Sequence, residues 1–376
     1  MRKKVTILFS GAHLAYSPTV IGLYDLLAEK FDVGIIAESP EAHHFERLND
    51  RRVVYRNKLT NKNRLRLARR IHDWRSIFDS DIAALQRMKF DTDVIEDFII
   101  VRKLLAAESS DFIVAVDFEN LLFAQILKKR VEFLSLEIVP NDKFYNQCDF
   151  ENVNSVIIQT KERYAHLFGE RRFKTFFVQN APVYVESAAP KERRNLVYCG
   201  TAWAAFGFYR CLEFLRTFPE YVLHVKGALP LADEARIKAE YQDLTADGRL
   251  VFDREYLDDA RVVDYLRQFR AGFCFYDFTL EPIDNFNYRS APSGKMFKYM
   301  AAGVPVIGQE ILGMQPVKEF DGGVLIKDLQ PLTIKNAVAK IEANFDYYSR
   351  NCRHAAAHYS FDKTAQPLID YLAAQK

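Results

Sequence analysis

The chain reads as an α/β protein of two doubly wound, parallel-sheet, Rossmann-like domains facing a cleft. Three observations carry that reading. Residues 5–37 run strand, turn, helix, strand, the opening unit of a doubly wound sheet. After a polar, proline-containing segment at 188–194, Asn195-Leu196-Val197-Tyr198-Cys199-Gly200-Thr201 starts the sheet pattern again. The stretch 290–307, SAPSGKMFKYMAAGVPVI, reads as loop, helix, stop and buried strand. A length of 376 residues suits about two domains, and a hydrophobic content of 49% can fill two cores.

Residues 5–9 form the first strand. Arg2-Lys3-Lys4 ahead of VTILFSGA imitates a signal peptide, but the apolar run is short and passes straight into a helix pattern. The turn Ser10-Gly11-Ala12-His13 follows. His13 is a candidate to face a substrate; its bland alternative is to satisfy local backbone. Ser17-Pro18 opens a helix to about Lys30, with Ser as cap and Pro at the first position. Residues 33–37 are the next strand. GxGxxG is absent, which leaves nicotinamide binding without support.

The stretch 51–75 is strongly basic, with Leu65, Leu67, Ile71 and Trp74 interleaved. It reads either as a solvated helix face or as a peripheral contact for an anionic leaflet or lipid diphosphate. Asp79-Ser80-Asp81 and Asp91-Thr92-Asp93 imitate a metal-binding DxD but follow no clear buried strand, so both read as exposed helix or turn acids. Strands are expected at 112–116, 133–136, 156–159 and 176–178. Carboxylates at strand exits are where a general base could sit. Glu137 is the first candidate, with Asp117, Glu119 and Asp142 in reserve; an ionised surface acid is the alternative for each.

In the second half, helices are expected at 208–218, 257–269, 333–344 and 361–374. Strands are expected at 221–225, 250–252, 272–276 and 322–326. Within 290–307, Ser293 is a good N-cap and Gly294 lets a ligand approach the backbone. Phe297, Met300 and Ala301 form one apolar face. Gly303 ends the helix, and Pro305 stops its continuation. Lys295 and Lys298 are oddly placed, because a helix start carries partial positive charge. A bound anion would reverse that sign and give Lys295 a use.

A net charge of +2 argues against bulk nucleic-acid binding. Cys148, Cys199, Cys211, Cys274 and Cys352 are scattered without CxxC spacing, which suits a reducing cytosol and no zinc site. No stretch reaches the roughly 18 apolar residues of a membrane span.

The run Ser293, Lys295, Met296, Phe297, Tyr299, Met300, Ala301, Gly303, Pro305, Val306, Ile307 resembles the donor-side motif of GT-B glycosyltransferases. It resembles especially the family 4 type and is similar to the xanthan glucuronosyltransferase type. The resemblance implies an acceptor-side domain at 1–182, a linker at 183–194, a donor domain at 195–355 and a C-terminal helix at 356–376 returning to the first domain. It implies a nucleotide-sugar donor and a glycan or lipid-linked acceptor of bacterial surface-polysaccharide assembly. No cofactor and no metal are called for, and the location implied is the cytoplasm or the inner face of the membrane. Gly200 and Thr201 would approach the donor phosphates with Ser293, Gly294, Lys295 and Lys298, while Arg254, Glu255 and Tyr256 would lie at the base.

Two departures stand out. The loop after Gly200, Ala202-Trp203-Ala204-Ala205-Phe206-Gly207, lacks the family's cations. Ser290 and Lys298 stand where retaining members carry two glutamates, which tilts the expectation toward inversion, with Glu281 and Asp284 as other carboxylate sources. A nucleotide-sugar epimerase of the same fold and a non-catalytic binding partner are the alternatives.

Overall fold

The computed structural model describes residues 2–11, 13–38, 48, 50–58, 60, 63–64, 67, 79–139, 141–186, 193, 195–255, 257–280 and 285–375. The chain forms two units. The first comprises Met1–Gln159, Leu167–Val178 and Ala365–Lys376; the second comprises Thr160–His166 and Gln179–Thr364.

The first unit holds a seven-stranded sheet of β1 (Lys4–Leu8), β2 (Asp32–Glu38), β3 (Val53–Arg56), β4 (Phe112–Val116), β5 (Val131–Leu134), β6 (Val153–Ile158) and β7 (Lys174–Phe177). Its order is β3-β2-β1-β4-β5-β6-β7, with every pair parallel. The second unit holds β8 (Leu196–Cys199), β9 (Leu223–Lys226), β10 (Leu250–Asp253), β11 (Ala271–Cys274), β12 (Val306–Gln309) and β13 (Gly323–Ile326), again all parallel, in the order β10-β9-β8-β11-β12-β13. Helices cross between strands, and central strands such as β8 are buried along their whole length. That is why they read as apolar runs rather than alternating ones. In each unit the order reverses beside the first strand, at β1/β4 and at β8/β11. Crevices at such reversals gather ligands at the strands' carboxyl ends.

Several boundaries differ from expectation. β5 ends at Leu134, two residues early, so Glu137 lies three residues beyond it. Part of the basic stretch 51–75 is strand rather than helix: Val53, Val54 and Tyr55 pair with β2, as β-branched and aromatic residues prefer. Its described cations meet acids. Arg51 pairs with Asp25 at 2.7 Å, Arg52 with Asp32 and Glu108, Lys58 with Asp97, and Arg64 with Asp93 and Glu96. The DxD-like acids serve helix starts: Asp79 caps Ser80–Arg87 and Asp91 caps Thr92–Glu108. Tyr256, Glu281, Asp284 and most of 61–78 lie outside the described residues.

The last helix, Phe361–Ala374, buries Leu368, Ile369 and Leu372. Tyr371 packs on Phe176 at 5.2 Å between ring centroids. All five cysteines are free. Cys199, Cys211, Cys274 and Cys352 are buried, and burial pushes the half-buried Cys148 thiol up to about 12. Among the described residues no helix is long and apolar enough to cross a membrane.

Candidate functional site

The helix Gly294–Ala301 packs in the second unit through buried Met296, Phe297, Tyr299 and Met300, and Tyr299 ties it to the β8/β11 reversal. β8 and β11 pair through Leu196 and Val197 with Ala271 and Gly272, and the Cys199 amide lies two residues further along β8. The Tyr299 hydroxyl accepts from that amide at 2.7 Å and donates to the Phe273 carbonyl at 3.1 Å. A buried amide left unpaired would cost about 1–3 kcal/mol. The Tyr299 ring lies flat on Gly272, where a Cβ would meet ring carbons at 2.7 Å. Gly303, at φ +63°, ends the helix, and its carbonyl accepts from Ser349 at 2.7 Å.

Ser293 is the N-cap and is buried, but its side chain makes no cap bond; it lies instead beside the Cys274 thiol. Gly294 begins the helix against Asn180, whose Nδ2 would stand 3.0 Å from an added Cβ. Residues 179–182 belong to the second unit, where Ala181 also packs on the core and the Pro182 carbonyl accepts from the Phe361 amide.

Lys295 turns back from the first helical turn toward β8. Its Nζ donates to the Tyr198 hydroxyl at 3.1 Å and lies 4.3 Å above the Tyr198 ring and 5.2 Å from the Phe206 ring centroid. Its Cε lies 3.8 Å from where a Cβ on Gly200 would be. No carboxylate pairs with it among the described residues. Desolvation therefore pulls its ammonium below the ordinary lysine value, with the Cys274 and Cys199 sulfurs acting the other way.

The other cations at this edge differ. Lys226, at the end of β9, holds Asp253 at 2.7 Å. Burial alone would raise the Asp253 carboxyl, but Lys226 and the Glu255 amide outweigh it and hold it low. Arg210 holds Asp277 at 2.8 Å and reaches Glu213 at 3.1 Å.

The backbone here is shaped for close approach. Gly200 has φ +111° and Gly227 φ +145°, and a Cβ on Gly227 would sit 2.4 Å from the Gly200 carbonyl oxygen. The Gly200 amide donates to the Lys226 carbonyl at 2.8 Å, and the Thr201 carbonyl accepts from Tyr198 at 3.1 Å. Lys298 lies half-buried one turn beyond Lys295. Ser290 is buried; its hydroxyl donates to the Phe286 carbonyl at 2.6 Å and accepts from Arg163 at 3.2 Å. Arg163 also meets Asn287 at 2.9 Å, which ties 160–166 to this unit.

The first unit gathers the other candidates at its own carboxyl edge. His13 is exposed after β1, its ring edge-on to Phe9 at 5.1 Å. Asp117 follows β4 with φ +57°, and its Oδ1 accepts from the amides of Leu136 at 2.8 Å and Glu137 at 3.3 Å. It fixes the exit of β5, and Glu137 is exposed at that exit. Beside them, buried Arg56 meets Glu119 at 3.3 Å and also Asn120, whose Nδ2 reaches Ser10 at 3.2 Å. Burial raises the Glu119 carboxyl; Arg56 opposes this, and Asp97 and Glu38 reinforce it.

Sequence reasoning passed over Tyr198, Phe206 and Arg163. A tyrosine in an all-apolar strand was the available signal, because its buried hydroxyl must find partners.

No protein-family model matches the chain, and no curated protein matches it in sequence. Solved structures do. The chain is similar to sucrose-phosphate synthase from Thermosynechococcus elongatus, with a TM-score of 0.68 and 14% identity over 100% of both chains. It is similar to Anabaena Alr3699/HepE in complex with UDP-glucose, at TM-score 0.68 and 12% identity over 99% of this chain and 100% of that one. A putative UDP-N-acetylglucosamine 2-epimerase from Listeria monocytogenes gives 0.59 and 14% over 100% and 96%. At such identities the likeness is one of fold, and the fold is GT-B: two Rossmann-like α/β units, each with its own parallel sheet.

Proposed function

We propose that the chain is a glycosyltransferase that moves a sugar from a nucleotide-sugar donor to a glycan or lipid-linked acceptor. One observation carries the reading: the Lys295 ammonium, without a carboxylate among the described residues, stands at a helix start beside Gly200 at the β8/β11 reversal. A diphosphate there would supply the missing negative charge and accept from the Gly294 and Lys295 amides at the helix start. Among proteins of similar fold, Anabaena HepE was solved with UDP and with UDP-glucose.

The chemistry follows from charge. The acceptor oxygen loses its proton to a carboxylate and attacks the anomeric carbon. The bond from that carbon to the phosphate oxygen breaks, and the departing diphosphate takes the electron pair. Lys295, Ser293, Gly294 and the helix end stabilise that charge, with Gly200 and Thr201 close to it and Lys298 one turn away. Glu137 is the base we assign, Asp117 positions it, and His13 shares the same sheet edge. Glu119 is the second carboxylate to test, because a raised carboxyl suits a general base. Ser290 in place of a glutamate, its hydroxyl engaged by Arg163 and Phe286, favours inversion. The family 4 kinship, the surface-polysaccharide role and peripheral membrane contact through 51–75 rest on the sequence alone.

Titration with UDP, GDP, ADP and CDP tests the donor reading. A true product at about 100 times its dissociation constant should stabilise the fold by roughly 2.7 kcal/mol. Lys295→Met should abolish that shift and donor turnover together. Equal turnover with and without Lys295 would reject the reading, and formation of an epimeric sugar would point to an epimerase instead.

A further inference from the structure

The loop after Gly200 lacks cations, yet the fold holds it firmly. Residues Ala204–Phe206 form a 3-10 turn closed by Gly207 at φ +68°, where a Cβ would strike the Phe275 Cβ at 2.5 Å. The Ala205 carbonyl accepts from the Asp277 amide at 2.8 Å, and the Asp277 side chain is itself fixed by Arg210 and Thr279. This pinned loop displays an indole. Trp203 is 46% exposed and lies 5.3 Å from the Phe206 ring at 35°. Phe206 meets Tyr276 edge-on at 5.7 Å and Tyr288 at 5.9 Å, and those two tyrosines stack at 5.6 Å. The wall adjoins Lys295 through Phe206.

We propose that Trp203, backed by Phe206, is the stacking surface for the donor's sugar ring and so a specificity-determining residue. This rests on reading the second unit as the donor site. The sheet order gives the side. The loop after β10, expected at the nucleoside base, lies two strand spacings, about 10 Å, from β8 in one direction. Tyr276 follows β11, which is β8's neighbour in the other direction. With the diphosphate on Lys295, the group attached to its far phosphate falls on the aromatic side. A pyranose offers an apolar face of C–H bonds there, and a rigid ring on a fixed loop gives stacking at low entropic cost.

The chain has two tryptophans, and Trp74→Phe leaves Trp203 as the single indole reporter. Binding is measured for matched pairs, UDP with UDP-glucose and GDP with GDP-mannose. We expect Trp203 emission to change further with the sugar nucleotide than with the bare diphosphate. Trp203→Ala should weaken the sugar nucleotide about five- to tenfold and the diphosphate less than about twofold, while Trp203→Phe stays near wild type. Equal weakening of both ligands, or of neither, overturns the stacking role and leaves the donor site standing. Failure of every pair to bind the wild-type protein overturns the donor site and this inference together.

Discussion

Lys295 is a residue whose use opposes its stability. Its ammonium is desolvated without a carboxylate among the described residues, and its pKa lies below the ordinary value of about 10.4. The unfolded chain therefore holds this proton more tightly than the fold does, and stability rises with pH between the lowered pKa and the ordinary one. Lys295→Met should accordingly raise the melting temperature by a few degrees at neutral pH. That advantage should shrink as pH climbs through the window toward about 10.4, and diphosphate binding should be lost throughout. Thermal melts across pH 7 to about 10.5 check the sign; a neutral-pH loss of stability would show the ammonium to be a structural partner of Tyr198.

At the scale of elements, the exits of β8 and β9 are built from two glycines that no other residue replaces cheaply. Gly227→Ala combines a disfavoured φ of +145° with a 2.4 Å approach to the Gly200 oxygen. We expect about 3 kcal/mol or more of lost stability in urea unfolding, with weakened UDP binding as Gly200 is pushed aside. Here the sequence was most informative. The helix Gly294–Ala301 could be read from its apolar spacing, its glycine stop and its proline, because those signals are local. Tyr299's service to the Cys199 amide, 100 residues away in the chain, could not, because it depends on where β8 and β11 cease to pair. β3 escaped because cations surround its short Val-Val-Tyr core. The helix Phe345–Tyr359 has no sequence reading because its buried face is largely Ser349, Cys352, Ala355 and Ala356, too small to mark a clear period. Of the site, glycines and lysines were legible, whereas the partners that give Lys295 its character were not.

At the scale of the whole molecule, the order of the chain and the membership of the units diverge. Residues 160–166 and 179–182 complete the second unit, and the last twelve residues complete the first. Leu372→Ala, at a fully buried position, should cost about 2–5 kcal/mol. Hydrogen exchange should speed up in the first unit's sheet while the amides of β8 and β11 keep their protection; uniform loss would mean that the units unfold as one. The thiols offer a way to follow the units separately. Four are buried, and the fifth, Cys148, ionises only near 12, so none is a ready nucleophile at neutral pH. The native chain is thus already a silent background for maleimide chemistry. Tyr16→Cys in the first unit and Leu231→Cys in the second, both on well-exposed side chains, would carry a dye pair without removing any native cysteine. The energy transfer between those dyes would show whether the units shift when a nucleotide is added.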